Sequence, residues 1–303
     1  MRLSTDDLTP LRHDTLHGDL RSWRDVELPG LGRRAEVYAW LPPGYDDGEA
    51  RYPVLYLHDG HNMFLPGRAF GGATWQVDRA MTALARDGIP AIVVAVPCHP
   101  TERGEEYTPH HLPGVGGGRA DRYATFLAEH LKPAVDAVLR TRPEPEHTLT
   151  AGSSLGGVVS AYLWSARPDV FGGAGVFSPA WWWPDTQVGE RGLEDVERAL
   201  AQGPPAGRVY LDVGGREHHL DEDVRKHYVA CAERLAGRLR EAGVPLRYVF
   251  DSAGYHFETA WAERFPAAAA WLLRGYAVEP PPYVQQDLAE RDARAAPADG
   301  AGA

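Results

Sequence analysis

The stretch Ala91-Ile92-Val93-Val94-Ala95-Val96 contains no polar side chain. A strand with one wet face alternates polar and apolar residues, so a wholly apolar strand must be covered on both faces, as in a parallel sheet flanked by helices. Similar short runs, rich in β-branched and aromatic residues, stand at 35–41, 53–58, 148–151, 175–178, 209–213 and 246–251. Between them apolar residues recur every three or four positions. Tyr123, Leu127, Leu131, Val135 and Val138 form one such series, and Val224, Tyr228, Cys231, Leu235 and Leu239 another, each an amphipathic helix. Pro133 should kink or restart the first. Strands alternating with helices along nearly the whole chain predict one α/β domain with a mostly parallel sheet. Residues 1–30 read as an N-terminal arm, 31–276 as the domain, and 277–303, rich in Ala, Asp and Gly without apolar period, as a disordered tail.

Charge narrows the partners. The 303 residues carry 31 Lys+Arg against 42 Asp+Glu, a net charge of −11, with no basic cluster to meet a phosphate backbone or an anionic lipid surface. A small-molecule partner is expected, and neither nucleic acid nor membrane. Cys98 and Cys231 stand far apart and outside any metal-binding spacing, so they read as two buried thiols. The polar N-terminus lacks the apolar core of a secretion signal, which leads to an expectation of a cytoplasmic protein. The oligomeric state is not legible.

The chemistry centres on Gly152-Ser153-Ser154-Leu155-Gly156, a G-x-S-x-G sequence between a predicted strand and a predicted helix. That context is a nucleophile elbow, a tight turn that lifts a serine hydroxyl out of the sheet, and it frames Ser154 rather than Ser153. Serine is a weak nucleophile without a base. His256 follows the last predicted strand and can return to the top of the sheet, whereas His218, His219 and His227 are less well placed. For the acid, Glu217 lies past the end of the preceding strand. Asp212 within that strand, Asp221, or a dyad without an acid remain alternatives. Oxyanion donors are expected from the amides of Leu155, directly after the nucleophile, and His61, after Gly60 in the early loop Asp59-Gly60-His61-Asn62. His58 and His61 could pair on a metal, but no third ligand stands at metal spacing, so no metal and no cofactor are expected.

YPVLYLHDGHNMF, WQVD, ERGEEYTP, AGSSLGG, YLDVGGRE and GYHFETAW, in this order and spacing, resemble the putative-esterase family of α/β-hydrolases. That family includes enterochelin (siderophore) esterases, feruloyl esterases, S-formylglutathione hydrolase and mycolyltransferases. The resemblance runs from about residue 31 to 276 and implies an α/β-hydrolase fold and a serine carboxylic-ester hydrolase without cofactor. It implies Ser154 as nucleophile, Glu217 as acid, His256 as base and the amides of His61 and Leu155 as oxyanion hole. By the same resemblance, Arg103 and Glu106 of ERGEEYTP should form a structural pair beside the site. Two departures stand out: Tyr255 replaces the usual small residue before the histidine, and only about 30 residues precede the first hydrolase strand. The acidic balance weighs against a strongly anionic ferric siderophore as substrate. An acyltransferase, or a binding protein that keeps the fold, are the competing readings.

Pocket residues are suggested by aromatic side chains on loops after strands, where ligands of open α/β sheets bind. Trp75, the run Trp181-Trp182-Trp183 and Tyr255 are the candidates for an aromatic wall facing an acyl or aryl ester.

Overall fold

The computed structural model describes residues 1–218 and 221–275. In chain order it forms β1 (Leu8–Pro10), β2 (Asp19–Leu28), β3 (Arg33–Leu41), β4 (Val54–His58), α1 (Val77–Arg86), β5 (Ile92–Val96) and the short α2 (Arg103–Tyr107). A small hairpin of β6 (His111–Leu112) and β7 (Gly116–Gly117) leads to α3 (Ala120–Thr125), which continues through a π-helical stretch, Phe126–Leu131, into α4 (Lys132–Val138). Pro133 lies in the first turn of α4, where its missing N–H costs nothing, so the helix restarts there. The rest alternates regularly: β8 (Thr148–Ser153), α5 (Leu155–Ala166), β9 (Gly173–Phe177), α6 (Thr186–Gln202), β10 (Arg208–Arg216), α7 (Glu222–Glu241), β11 (Leu246–Tyr255) and α8 (Glu258–Leu272).

The large sheet has the order β1-β2-β3-β5-β4-β8-β9-β10-β11. From β5 to β11 its strands are parallel, and β1, β2 and β3 join antiparallel at one side. This is the mixed, mostly parallel sheet of an α/β-hydrolase. The wholly apolar run at 91–96 supplies β5, with Ile92, Val94 and Val96 packed in one core layer and Val93 and Ala95 in the other. β4 divides likewise, Val54 and Tyr56 against Leu55 and Leu57. The first layer includes side chains of α5 and α7, and the second those of α1 and α8.

The segment expected to be an N-terminal arm is instead sheet: β2 pairs with β3 from Asp19 opposite Leu41 to Leu28 opposite Arg33, and β1 pairs with β2. The reason is its binary pattern. Leu20, Trp23, Val26 and Leu28 turn inward while Arg24, Asp25 and Glu27 face water, and a register shift between Trp23 and Val26 absorbs Asp25 at φ 53°. The tail expected at 277–303 lies outside the described residues.

The architecture gathers chemistry at one end. Asp59 follows β4, Cys98 follows β5, Ser154 follows β8 and Ser178 follows β9, while Glu217 follows β10 and His256 follows β11. All six therefore stand at the carboxyl ends of parallel strands, where the topology of open α/β sheets puts ligands.

Candidate active site

Ser154 sits between β8 and α5 at φ 60°, ψ −123°, a left-handed backbone that a side chain rarely adopts. Such a conformation costs on the order of 1–3 kcal/mol and persists because its surroundings fix it. Here Ser154 N donates to Phe177 O at 2.9 Å, and Ser154 O accepts from the amides of Gly157, Val158 and Ala180. The strain falls on the serine itself. The flanking glycines serve close approach instead, since a Cβ on Gly152 would lie 2.9 Å from the Gly156 carbonyl carbon.

His256 and Ser154 line one cleft of about 340 Å³. His256 Nδ1 lies 2.7 Å from Glu217 Oε2, and Glu217 is fully enclosed. The second carboxylate oxygen, Oε1, accepts from Ser178 Oγ at 2.5 Å and from the Gly214 amide. Ser178 Oγ in turn accepts from Trp261 Nε1 at 3.0 Å and Arg264 Nη2 at 3.1 Å. Three groups thus hold the carboxylate directly, and two more from α8 fix the serine that is one of them. Ser178, at φ 40° after β9, is a residue the sequence reading missed.

The other acid candidates are occupied elsewhere. Asp212 accepts from Ser178 N and Tyr210 Oη, each at 3.0 Å, and stands 3.2 Å from Arg264 Nε. Burial pushes its carboxyl up to about 7 against the pull of Arg264. Asp221 caps α7, taking the amides of Asp223 and Val224. Of the alternative histidines, His218 Nδ1 accepts from the Asp221 amide and His227 Nε2 meets Cys231 Sγ at 3.3 Å. His219 lies outside the described residues.

Leu155 opens α5 and His61 is the second residue of a 3₁₀ turn at Gly60–Asn62. N–H groups at such starts have no acceptor inside their own helix and are free to meet a ligand oxygen. The unusual backbone at the turn belongs to Asp59, at φ 54°, rather than to Gly60. Gly60 is required for space: a Cβ there would come 2.7 Å from Ala95 backbone carbon. Arg103 grips Asp59 with both forks, Nε to Oδ1 and Nη2 to Oδ2 at 2.8 Å each, and also reaches Ser153 O at 3.2 Å. Burial alone would raise Asp59, but Arg103 outweighs it and holds the carboxyl below its ordinary value.

The expected Arg103–Glu106 pair is not formed. Glu106 is held instead by Arg33, with Nε at 2.5 Å and Nη2 at 2.7 Å, so the two members of the motif clamp different loops. His58 is enclosed between Tyr123 Oη and Thr150 Oγ1, both at 2.9 Å, and burial lowers it to about 3, a neutral core imidazole rather than half of a metal pair. Asp59, His61 and Cys98 bring one donor atom each within 4.8 Å of one another, yet both Asp59 oxygens are already taken by Arg103. Cys231 is buried as expected. Cys98 is only half-buried and lines the cleft, its thiol pushed up by burial and by Asp59.

The aromatic candidates also need correction. Trp75 is a core residue, packed on Phe177, Trp261 and Phe265. Trp181 is buried, Trp183 lies over Gly104, and Trp182 meets Tyr228 edge-on, so the tryptophan run fastens its own loop. Tyr255 is exposed, its hydroxyl paired with Thr259. None of the five is among the residues lining the cleft. Its aromatic surface comes from Phe70, Phe257 and Trp261. Asn62 and Glu258 also line it, with Asn62 Nδ2 donating to Glu258 Oε1 at 3.0 Å. Tyr228 stands beside it, its ring 5.2 Å from that of His256.

A serine at a strand-to-helix turn and a carboxylate-bound imidazole thus share one cleft at the carboxyl ends of the parallel strands. The family described as putative esterase matches residues 29–272, and the chain belongs to it, a family of carboxylic-ester hydrolases. Protein YbbA of Bacillus subtilis, uncharacterized, is 23% identical over 79% of this chain and 92% of its own length. Iron(III) salmochelin esterase of Escherichia coli is 28% identical over 55% of this chain, a match that spans 40% of that relative. Among solved structures, an IroE-like serine hydrolase from Shewanella oneidensis superimposes with a TM-score of 0.67 at 17% identity, covering 91% of this chain and 94% of that one. No helix among the described residues is long and apolar enough to cross a membrane.

Proposed function

We propose that the chain is a serine esterase that works through an acyl-enzyme, with Ser154 as nucleophile, His256 as general base and Glu217 as the orienting acid. The observation that supports this most is the 2.7 Å contact of His256 Nδ1 with a Glu217 carboxylate fixed on its other oxygen, in the same cleft as the strained Ser154. Glu217 holds the imidazole so that Nε2 faces the cleft. Ser154 Oγ attacks the ester carbonyl as its proton passes to His256 Nε2, and the charge on the carbonyl oxygen falls to the amides of His61 and Leu155. The imidazolium returns the proton to the leaving alkoxide, and water releases the acid by the same steps in reverse.

The substrate is a small-molecule ester with an acyl or aryl part that packs on Phe70, Phe257 and Trp261. A named relative acts on a siderophore, which gives that class a place in any substrate panel. The decisive experiment is hydrolysis of p-nitrophenyl acetate, with fluorophosphonate labelling, by wild type and Ser154→Ala. Loss of kcat by several orders of magnitude and of labelling is expected. Retained turnover by Ser154→Ala would overturn the assignment.

A further inference from the structure

Glu258 has no part in the mechanism above, yet it lines the reaction cleft two residues after His256. It is only 5% exposed, and its side-chain partner is an amide, Asn62 Nδ2, rather than a cation. Asn62 is itself fixed, since its Oδ1 accepts from the Phe70 amide at 2.9 Å, so its donor must point at Glu258. The nearby charges belong to each other: Asp59 and Arg103 form a closed bidentate pair. A buried carboxylate met by neutral amides alone, Asn62 Nδ2 and its own backbone N–H, is under-compensated. Burial accordingly raises Glu258 to about 7. Phe70, Phe257 and Trp261 line the same cleft. A carboxylate and aromatic rings in one cleft are the chemistry that holds an organic ammonium, through a charge-assisted hydrogen bond and cation–π attraction.

We infer that Glu258, oriented by Asn62, is an ammonium-binding subsite that selects ester substrates carrying a primary amine close to the scissile group. The inference deepens the esterase reading and rests on it for the word substrate, but the binding site itself can be tested without turnover. The other titratable groups lining the cleft are His256 after β11, His61 and Asp59 after β4, Cys98 and His99 after β5 and Arg103 on α2. Protonation of those histidines would also repel an ammonium, so the wild-type pH profile must be compared with a variant lacking the carboxylate.

The test is calorimetric titration with benzylamine and with benzyl alcohol, which share shape and ring but differ in charge. Wild type at pH 8 should bind benzylamine about tenfold more tightly than the alcohol, the margin of one charge-assisted hydrogen bond. That preference should shrink by about tenfold towards pH 6 as Glu258 takes up its proton. Glu258→Gln, which keeps the oxygen that Asn62 contacts, should show no preference for benzylamine at either pH. Equal affinity for the two compounds in wild type, or a preference that survives in Glu258→Gln, would overturn the inference. The wild-type comparison needs no variant and so does not depend on the variant's folding. Turnover of p-nitrophenyl acetate, measured separately, reports on the esterase reading alone.

Discussion

Glu217 Oε2 meets His256 Nδ1 at 2.7 Å while Asp212, five residues earlier, turns to Arg264 and the Ser178 amide. The end of the strand separates the two acids: Asp212 is inside β10 and Glu217 just beyond it, after a register shift between Gly214 and Arg216. Glu217→Gln should therefore lower kcat on p-nitrophenyl acetate by about 10⁴-fold, the cost of an imidazole in the wrong tautomer. Asp212→Asn should leave kcat within about tenfold and act on stability, by ~1–3 kcal/mol in urea unfolding. A reversal of these two outcomes would place the acid on Asp212.

Ser178 Oγ is the node between the acid and the core, donating to Glu217 and accepting from Trp261 and Arg264. Ser178→Ala strips an acceptor from two buried donors and a donor from the carboxylate. The expected loss is about 2–4 kcal/mol of stability, with a fall in kcat of roughly tenfold and little change in KM. A kcat loss as deep as that of Glu217→Gln would mean that Ser178 touches the reacting atoms.

The triad candidates were readable because elbow geometry needs small neighbours in fixed places and because parallel strands deliver their loops to one end. β4, β5 and β8 to β10 were readable for a related reason, burial on both faces, and β11, a largely exposed edge strand, by its β-branched and aromatic run alone. β1 and β2 were not, since an edge strand with one wet face carries charges such as Arg24, Asp25 and Glu27 that read as a solvated arm. Ion-pair partners escaped for another reason: Arg103 meets Asp59 across 44 positions and Arg33 meets Glu106 across 73, and like-for-like alternatives lie nearer in sequence. The tryptophan run showed an aromatic loop but not its direction, which packing on Tyr228, Gly104 and the core decides.

Gly60 supplies a sharper test of the proposed oxyanion role of the loop after β4. Its missing Cβ lets the turn carrying the His61 amide lie against the end of β5, with Ala95 and Val96 backbone atoms under 3.0 Å from where a Cβ would stand. Backbone cannot swing aside as a flexible side chain can. Gly60→Ala should displace the turn, cost ~1–3 kcal/mol of stability and lower kcat by 10²-fold or more while KM moves little. Unchanged kcat with lowered melting temperature would show that the His61 amide is not an oxyanion donor.

Glu258 also leaves a signature in stability. Its carboxyl is raised from 4.5 to about 7 by burial, so the folded state holds a proton that the unfolded chain has already released across that window. The folded state therefore binds more protons, and stability falls as pH rises from the unfolded value through the folded one. The contribution is fully present below the lower value and lost above the higher, amounting to at most ~3 kcal/mol. Glu258→Gln carries no titrating proton and should escape this loss. Its melting temperature relative to wild type should climb by a few degrees between pH 4.5 and pH 8, read by calorimetry or circular dichroism. A difference that stays constant over the range would show that Glu258 ionises as an ordinary surface carboxyl, and that the cleft does not hold it under-compensated.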